Sequence, residues 1–245
     1  MSLKEGYPSS SGYVSFTKKW HNKPYPFISP NQPELSAAGK NVVVTGGGSG
    51  IGLAAAIAFA QAGAASIAVI GRRRERLQAA AADIRAAGPR TRVICEPADM
   101  AKLADADRAL KNIFNEVGKI DVLISGAGIM PTIGSVQGYS DEDFRRGLEV
   151  NVMSAFNAIQ GFLPLAAPNA KLFNVSSGMG HIAPVPGLMT YSVAKAAVIR
   201  LFDYAASEHP KLHVVNIQPG VVVTDLNKVT GMPGQDERTC SYPIV

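Results

Sequence analysis

Thr45-Gly46-Gly47-Gly48-Ser49-Gly50-Ile51-Gly52 lies between a β-branched apolar run, Asn41–Thr45, and an alanine-rich stretch of helical spacing, Ile51–Ala62. Glycine lets a backbone turn sharply and approach another group closely, and a helix start presents free N–H groups that hold an anion. The spacing is Gly-x-x-x-Gly-x-Gly, not the commoner dinucleotide fingerprint Gly-x-Gly-x-x-Gly. On its own the cluster reads equally well as a tight turn. Its strand–loop–helix setting favours a pyrophosphate cradle made by Gly46, Ser49, Gly50, Ile51 and Gly52.

The same rhythm continues outward. Apolar runs at Ser66–Ile70, Arg92–Glu96, Ile120–Ser125, Lys171–Ser176 and His213–Gln218 alternate with helical stretches at Arg74–Ala87, Lys102–Val117, Asp141–Leu163 and Tyr191–Glu208. Ser140 is placed to cap the helix that opens at Asp141. Strands that read as continuous apolar runs and alternate with helices predict a parallel sheet covered on both faces. The expectation is a single α/β domain with a doubly wound, Rossmann-type sheet over residues 40–227. The flanks read differently. Residues 1–39 carry five prolines and scattered aromatics and predict an arm on the domain surface, and 228–245 predict a short irregular tail.

The end of the second strand bears on the cofactor. An NAD site wants an acid there for the ribose hydroxyls, and this chain has Gly71 followed by Arg72-Arg73. Guanidinium groups suit a 2′-phosphate, so NADP(H) is expected, with Arg72 as its contact. Solvated residues at a helix start would read the same way. Further along, Tyr191 and Lys195 stand four apart on one helix face. A nearby ammonium favours the phenolate and fits the phenol for acid–base work, although the pair alone is compatible with a solvated surface. Ser176-Ser177 ends the fifth strand, and Asn151 lies within the helix from Asp141, where a solvent-facing role is also open.

The chain has 245 residues, 47% hydrophobic and 18% charged, with a net charge of +5. These are the proportions of an ordinary soluble globular domain. Its basic runs, Arg72-Arg73-Arg74 and Arg145-Arg146, are short and lack interleaved aromatics, so no nucleic-acid surface is expected. Cys95 and Cys240 lie far apart without metal-ligand company, and no metal site is expected. The first residues lack the apolar core of a signal peptide, and no apolar run is long enough to span a membrane. A cytoplasmic protein is the expectation.

Taken together, these motifs resemble the short-chain dehydrogenase/reductase family over about Lys40–Asn227. The matching pieces are the Thr45–Gly52 loop, Asp99 after the third strand, Ser125-Gly126-Ala127-Gly128 after the fourth, Asn151-Val152, Ser176-Ser177, Tyr191–Lys195 and Pro219–Thr224. The resemblance implies that Ser177 polarises a substrate oxygen, Tyr191 exchanges the proton, Lys195 binds the nicotinamide ribose, and Asn151 supports a proton-relaying water. It also implies adenine contacts at Asp99 and Met100, contacts from Ala127 and Gly128, and nicotinamide contacts from Val222 and Thr224. Pairing through the two long helices implies a homodimer or homotetramer. The activity implied is hydride transfer between NADP(H) and a carbonyl or alcohol carbon of a small, apolar or aromatic substrate.

Three features depart from the family pattern. Ser125-Gly126 replaces the usual Asn-Asn, which removes an amide that braces the sheet. The Ser177–Tyr191 interval is one residue longer than usual, and its loop contains His181, Pro184 and Pro186, with His181 reading as a loop residue. Twenty-one residues follow Thr224, so the last strand and a full substrate lid are expected to be absent. A catalytically impaired NADP(H)-binding protein is therefore the alternative reading. The arm and the phrase His181-Ile182-Ala183-Pro184 resemble members from filamentous fungi, many tied to secondary metabolism.

Overall fold

The computed structural model describes residues 25–230 and the backbone of 235–236. Six parallel strands form the main sheet: β1 (Asn41–Thr45), β2 (Ser66–Gly71), β3 (Arg92–Pro97), β4 (Ile120–Ser125), β5 (Ala166–Val175) and β6 (His213–Ile217). Their order is β3-β2-β1-β4-β5-β6, the doubly wound order that reverses direction at β1. This is the Rossmann-type α/β fold expected from the alternation of apolar runs.

Side chains alternate across each strand, and both faces are buried. Val42, Val44, Ile67 and Val69 face one way and pack with Ala56 and Ala60 of α1 (Gly50–Gln61) and Leu77 and Ile84 of α2 (Arg74–Ala87). Val43, Ala68, Ile70 and Leu123 face the other way, against α3 (Leu103–Val117) and two later helices, through Leu110, Ile113, Phe162 and Phe202. The residues just before β1 are tied to this domain. Ala37 is buried, its N–H donates to the Ala62 carbonyl at 2.8 Å, and Ala38 bridges Ala64. The arm before Tyr25 lies outside the described residues.

The stretch expected as one helix over Asp141–Leu163 is not continuous. It comprises α4 (Asp141–Leu148), a π-helical turn (Glu149–Met153) and α5 (Ser154–Phe162). The Ser140 hydroxyl caps α4 by accepting from the Asp143 N–H at 3.3 Å. Within the π turn, the Asn151 side-chain amide donates to the Gly147 carbonyl at 2.9 Å, one turn back. Then follow α6 (Met189–Glu208), β7 (Val222–Val223), α7 (Asp225–Lys228) and β8 (Gln235–Asp236), with β7 and β8 paired in parallel. The rest of the tail lies outside the described residues.

Phe162 and Phe202 are fully buried where α5 and α6 meet the sheet. Phe162→Ala is expected to lower unfolding free energy by about 3–5 kcal/mol in urea titration. Val136→Ala, at a position 75% exposed, should change it by less than about 0.5 kcal/mol.

Candidate active site

A cleft of about 580 Å³ lies at the carboxyl ends of the strands. Its base is the turn from β1 into α1. Gly46 adopts φ +71°, and a Cβ there would stand 2.7 Å from the Gly126 carbonyl oxygen. A Cβ on Gly52 would stand 2.5 Å from the Gly46 carbonyl oxygen. Only glycine permits both approaches. The Ser49 side chain makes no capping hydrogen bond, so the first-turn N–H groups of α1 have no side-chain acceptor. An open helix N-terminus over a glycine floor fits a pyrophosphate.

Every catalytic and cofactor residue expected from the sequence borders this cleft. Gly46, Ser49, Gly50, Ile51 and Gly52 lie at the start of α1, and Arg72 follows β2. Asp99 and Met100 follow β3, and Ala127 and Gly128 follow β4. Asn151 projects from the π turn, Ser177 follows β5, Tyr191 and Lys195 lie on α6, and Val222 and Thr224 lie beyond β6. His181 is exposed and is not part of the cleft wall.

Several of these residues are fixed by their neighbours. The Asn151 Oδ1 accepts from the Ile129 N–H at 3.0 Å. Gly128 makes room for it, since a Cβ there would come within 2.6 Å of the same oxygen. The Asp99 carboxylate accepts from the Ala101 N–H at 3.1 Å, and the buried Asn157 amide donates to the Met100 carbonyl at 2.9 Å. Thr224 caps α7 by accepting from the Asn227 N–H at 3.2 Å. The turn after β4 is tied to β1. The Thr45 hydroxyl oxygen accepts from Gly126 N–H at 3.1 Å and Ala127 N–H at 3.2 Å, joining the two strand ends.

Tyr191 and Lys195 respond to burial in opposite directions. Desolvation raises the Tyr191 phenol above its ordinary value, and a hydrogen bond with the Ser177 hydroxyl pulls it partly back. Desolvation lowers the Lys195 ammonium from 10.5 to about 8. Lys195 Nζ donates to the Val175 carbonyl at 2.8 Å and lies 5.7 Å from the centre of the Tyr191 ring. The arrangement places a hydroxyl, a phenol and an ammonium side by side, a set able to polarise an oxygen and exchange a proton with it.

Sequence reasoning missed part of the wall. Ser154, Met179, Arg73, Arg76 and Asp225 also border the cleft. Arg76 had a readable signal, since it lies in the first turn of the helix that follows Arg72 and Arg73. Asp225 had none, because its neighbour across the cleft is distant in sequence. Among the described residues no cluster of His, Cys, Asp or Glu could hold a metal ion, and no helix is long and apolar enough to cross a membrane.

The fold is a Rossmann-type α/β sheet with its cleft at the carboxyl ends of the strands, and comparison with known proteins specifies the family. The chain belongs to the short-chain dehydrogenase/reductase family, whose model, described as short chain dehydrogenase, matches residues 40–232. It is similar to a short chain dehydrogenase/reductase of Aspergillus novofumigatus, with 30% identity over 232 residues, covering 91% of this chain and 76% of the relative. It is also similar to 11-beta-hydroxysteroid dehydrogenase-like 3 of Arabidopsis thaliana, with 31% identity over 164 residues. That match covers 66% of this chain and 52% of the relative, so the chain spans about half the length of the plant protein. Among solved structures, a short chain dehydrogenase of Burkholderia cenocepacia in complex with NADP is 29% identical, with a TM-score of 0.72 and 78% of each chain covered. An NAD+-bound xylitol dehydrogenase is 27% identical, with a TM-score of 0.71, covering 83% of this chain and 82% of that one. These two structures hold different dinucleotides, so likeness alone does not choose between them.

The Lys195 environment has a measurable consequence. Below pH 8 the ammonium is charged in both folded and unfolded chains, and the folded chain carries the desolvation cost. Between about 8 and 10.5 the unfolded chain keeps the proton and the folded chain releases it, so this group makes stability rise with pH across that window. Lys195→Met should remove that rise and stabilise the protein at pH 7 by about 1–3 kcal/mol, net of the lost bond to Val175. Urea titrations of both proteins at pH 7 and pH 10.5 test this; lower stability of the variant at pH 7 would refute it.

Proposed function

We propose that this chain is an NADP(H)-dependent oxidoreductase acting on a carbonyl or alcohol carbon of a small, apolar or aromatic substrate. The carrying observation is the convergence of Ser177, Tyr191 and Lys195 on the cleft floored by the Gly46–Gly52 loop. A bound nicotinamide supplies or accepts the hydride. The N–H groups of Gly50, Ile51 and Gly52 would hold its pyrophosphate, Asp99 and Met100 its adenine, and Val222 and Thr224 the nicotinamide side.

Arg72 supports the choice of NADP(H). No acid stands at the end of β2, and among the described residues Arg72 and Arg73 form no ion pair, which leaves both for a 2′-phosphate. Ser177 donates a hydrogen bond to the substrate oxygen. In reduction the carbonyl carbon gains a hydride and Tyr191 gives its proton to the oxygen; in oxidation the phenolate takes that proton from the alcohol. Lys195, as an ammonium, holds the ribose and favours the phenolate. Asn151 positions the water through which the proton is replaced. Ile129, Met130, Met179 and Leu188 line the cleft and favour an apolar substrate face.

Assembly as a homodimer or homotetramer through the helices at Asp141–Phe162 and Met189–Glu208 is part of the proposal. Met153, Phe156, Val193 and Tyr204 are exposed apolar side chains on these segments. Val193 and Tyr204 lie about three turns apart on one stripe of α6. Placing charges there, as Phe156→Asp with Tyr204→Glu, should shift the molar mass by light scattering from a multiple of 25.7 kDa to the monomer.

Tyr191→Phe should lower turnover of aryl ketones, read by NADPH absorbance, at least about 100-fold while changing NADPH affinity by less than about threefold. NADPH binding without turnover by the unaltered protein across a ketone panel would favour the catalytically impaired dinucleotide binder instead. Failure to bind any nicotinamide dinucleotide would refute both.

A further inference from the structure

Arg76 and Asp225 stand far apart in the chain yet meet across the cleft, with Arg76 Nη1 donating to Asp225 Oδ2 at 2.9 Å. Arg76 is carried by α2, which follows β2, whereas Asp225 opens α7 on the chain leaving β6. Three strands, β1, β4 and β5, separate β2 from β6 in the sheet. At about 4.8 Å per strand, the two lie roughly 19 Å apart. The ion pair therefore exists because the segment leaving β6 crosses above the ends of the intervening strands. Both partners border the cleft, and the Arg76 Cβ is 3.5 Å from the point a Cβ on Gly48 would occupy, beside the phosphate loop.

Asp225 has a second cation, since Lys228 Nζ donates to its Oδ1 at 3.0 Å. Arg76 has this carboxylate and no other ion-pair partner among the described residues. A carboxylate on a guanidinium presents the charge and oxygen geometry that a phosphate would present.

We propose that Asp225 is an internal competitor for a nucleotide 2′-phosphate. It occupies Arg76 until an adenosine 2′-phosphate displaces it, and so sets how strongly the cleft prefers 2′-phosphorylated nucleotides over their unphosphorylated counterparts. The proposal rests on the reading that this cleft takes a nicotinamide dinucleotide. Exchange leaves no charge unpaired: Arg76 passes to the phosphate, and Asp225 keeps Lys228. The pair is also weak enough to exchange, because its side chains are 47% and 52% exposed. Arg72 and Arg73 supply further positive charge at the same end of the cleft.

Titration calorimetry with adenosine 2′,5′-bisphosphate and with ADP reads this preference without any turnover. In Asp225→Asn the bisphosphate should bind about three- to fivefold tighter at low salt, while ADP changes by less than about twofold. Asp225→Glu should keep the original ratio. Arg76→Gln should weaken the bisphosphate about tenfold, and adding Asp225→Asn to it should bring no further gain, because the competitor then has nothing to occupy. A bisphosphate-to-ADP preference in Asp225→Asn that stays the same or falls would overturn the proposal while leaving the dinucleotide reading intact. Failure of both nucleotides and of NADPH to bind the unaltered protein would overturn the two together.

Discussion

Two backbone segments meet at the mouth of the sheet with no space for a side chain between them. The turn after β1 touches the turn after β4 through Gly46 and Gly126, and folds back on itself through Gly46 and Gly52. This contact brings the open N-terminus of α1 directly over the strand ends. It also begins a chain of close fits that runs to the opposite side of the cleft. Thr45 ties Gly126 and Ala127 to β1, and Gly128 leaves room for the Asn151 side chain, which holds Ile129 and Gly147. A Cβ on Gly147 would stand 2.5 Å from the Thr190 methyl, and Thr190 precedes Tyr191. The Gly46–Gly52 turn and the helix that carries Tyr191 and Lys195 are thus positioned through one continuous set of contacts.

That chain explains how a phenol and an amine can be held in partly dehydrated surroundings. Burial pushes Tyr191 up and Lys195 down, so it drives both toward their uncharged forms. The Ser177 hydroxyl opposes this at the phenol, and the Val175 carbonyl gives the ammonium an acceptor. The hydrogen-bonding groups that touch the pair are thus a neutral hydroxyl and a backbone carbonyl. A fixed carboxylate beside Lys195 would have raised its pKa instead and fixed its charge.

Much of this was legible in the sequence because it depends on local spacing. Apolar runs separated by helical stretches marked the six strands of the doubly wound sheet, and glycines at Gly46, Gly50 and Gly52 marked the tight turn into α1. What sequence spacing could not supply were interactions made by side chains with distant backbone. The helix from Asp141 read as continuous, because nothing in its periodicity marks the π turn or the Asn151 bond to the Gly147 carbonyl. The Thr45 hydroxyl that ties Gly126 and Ala127 to β1 was not legible as a brace, because it lies on another strand. The residues that border the cleft beyond β6 follow the same rule. Thr224 stood in a recognisable motif, whereas Asp225 became meaningful only beside Arg76.

The crossing segment combines two kinds of attachment, which give it two different stabilities. At its root, Val222 is buried at 4% exposure and pairs through β7 with β8. At its tip, Thr224 caps a helix of a single turn, and Asp225 reaches α2 through a half-exposed ion pair. Apolar burial is lost only with the surrounding packing, whereas an exposed ion pair contributes little and yields to any stronger ligand for the guanidinium. Local opening is therefore least costly at the tip and most costly at the root. A segment built this way can release Arg76 without leaving the cleft, because Val222 stays packed and Lys228 stays with Asp225. The weakness of the ion pair is then a property that the exchange requires.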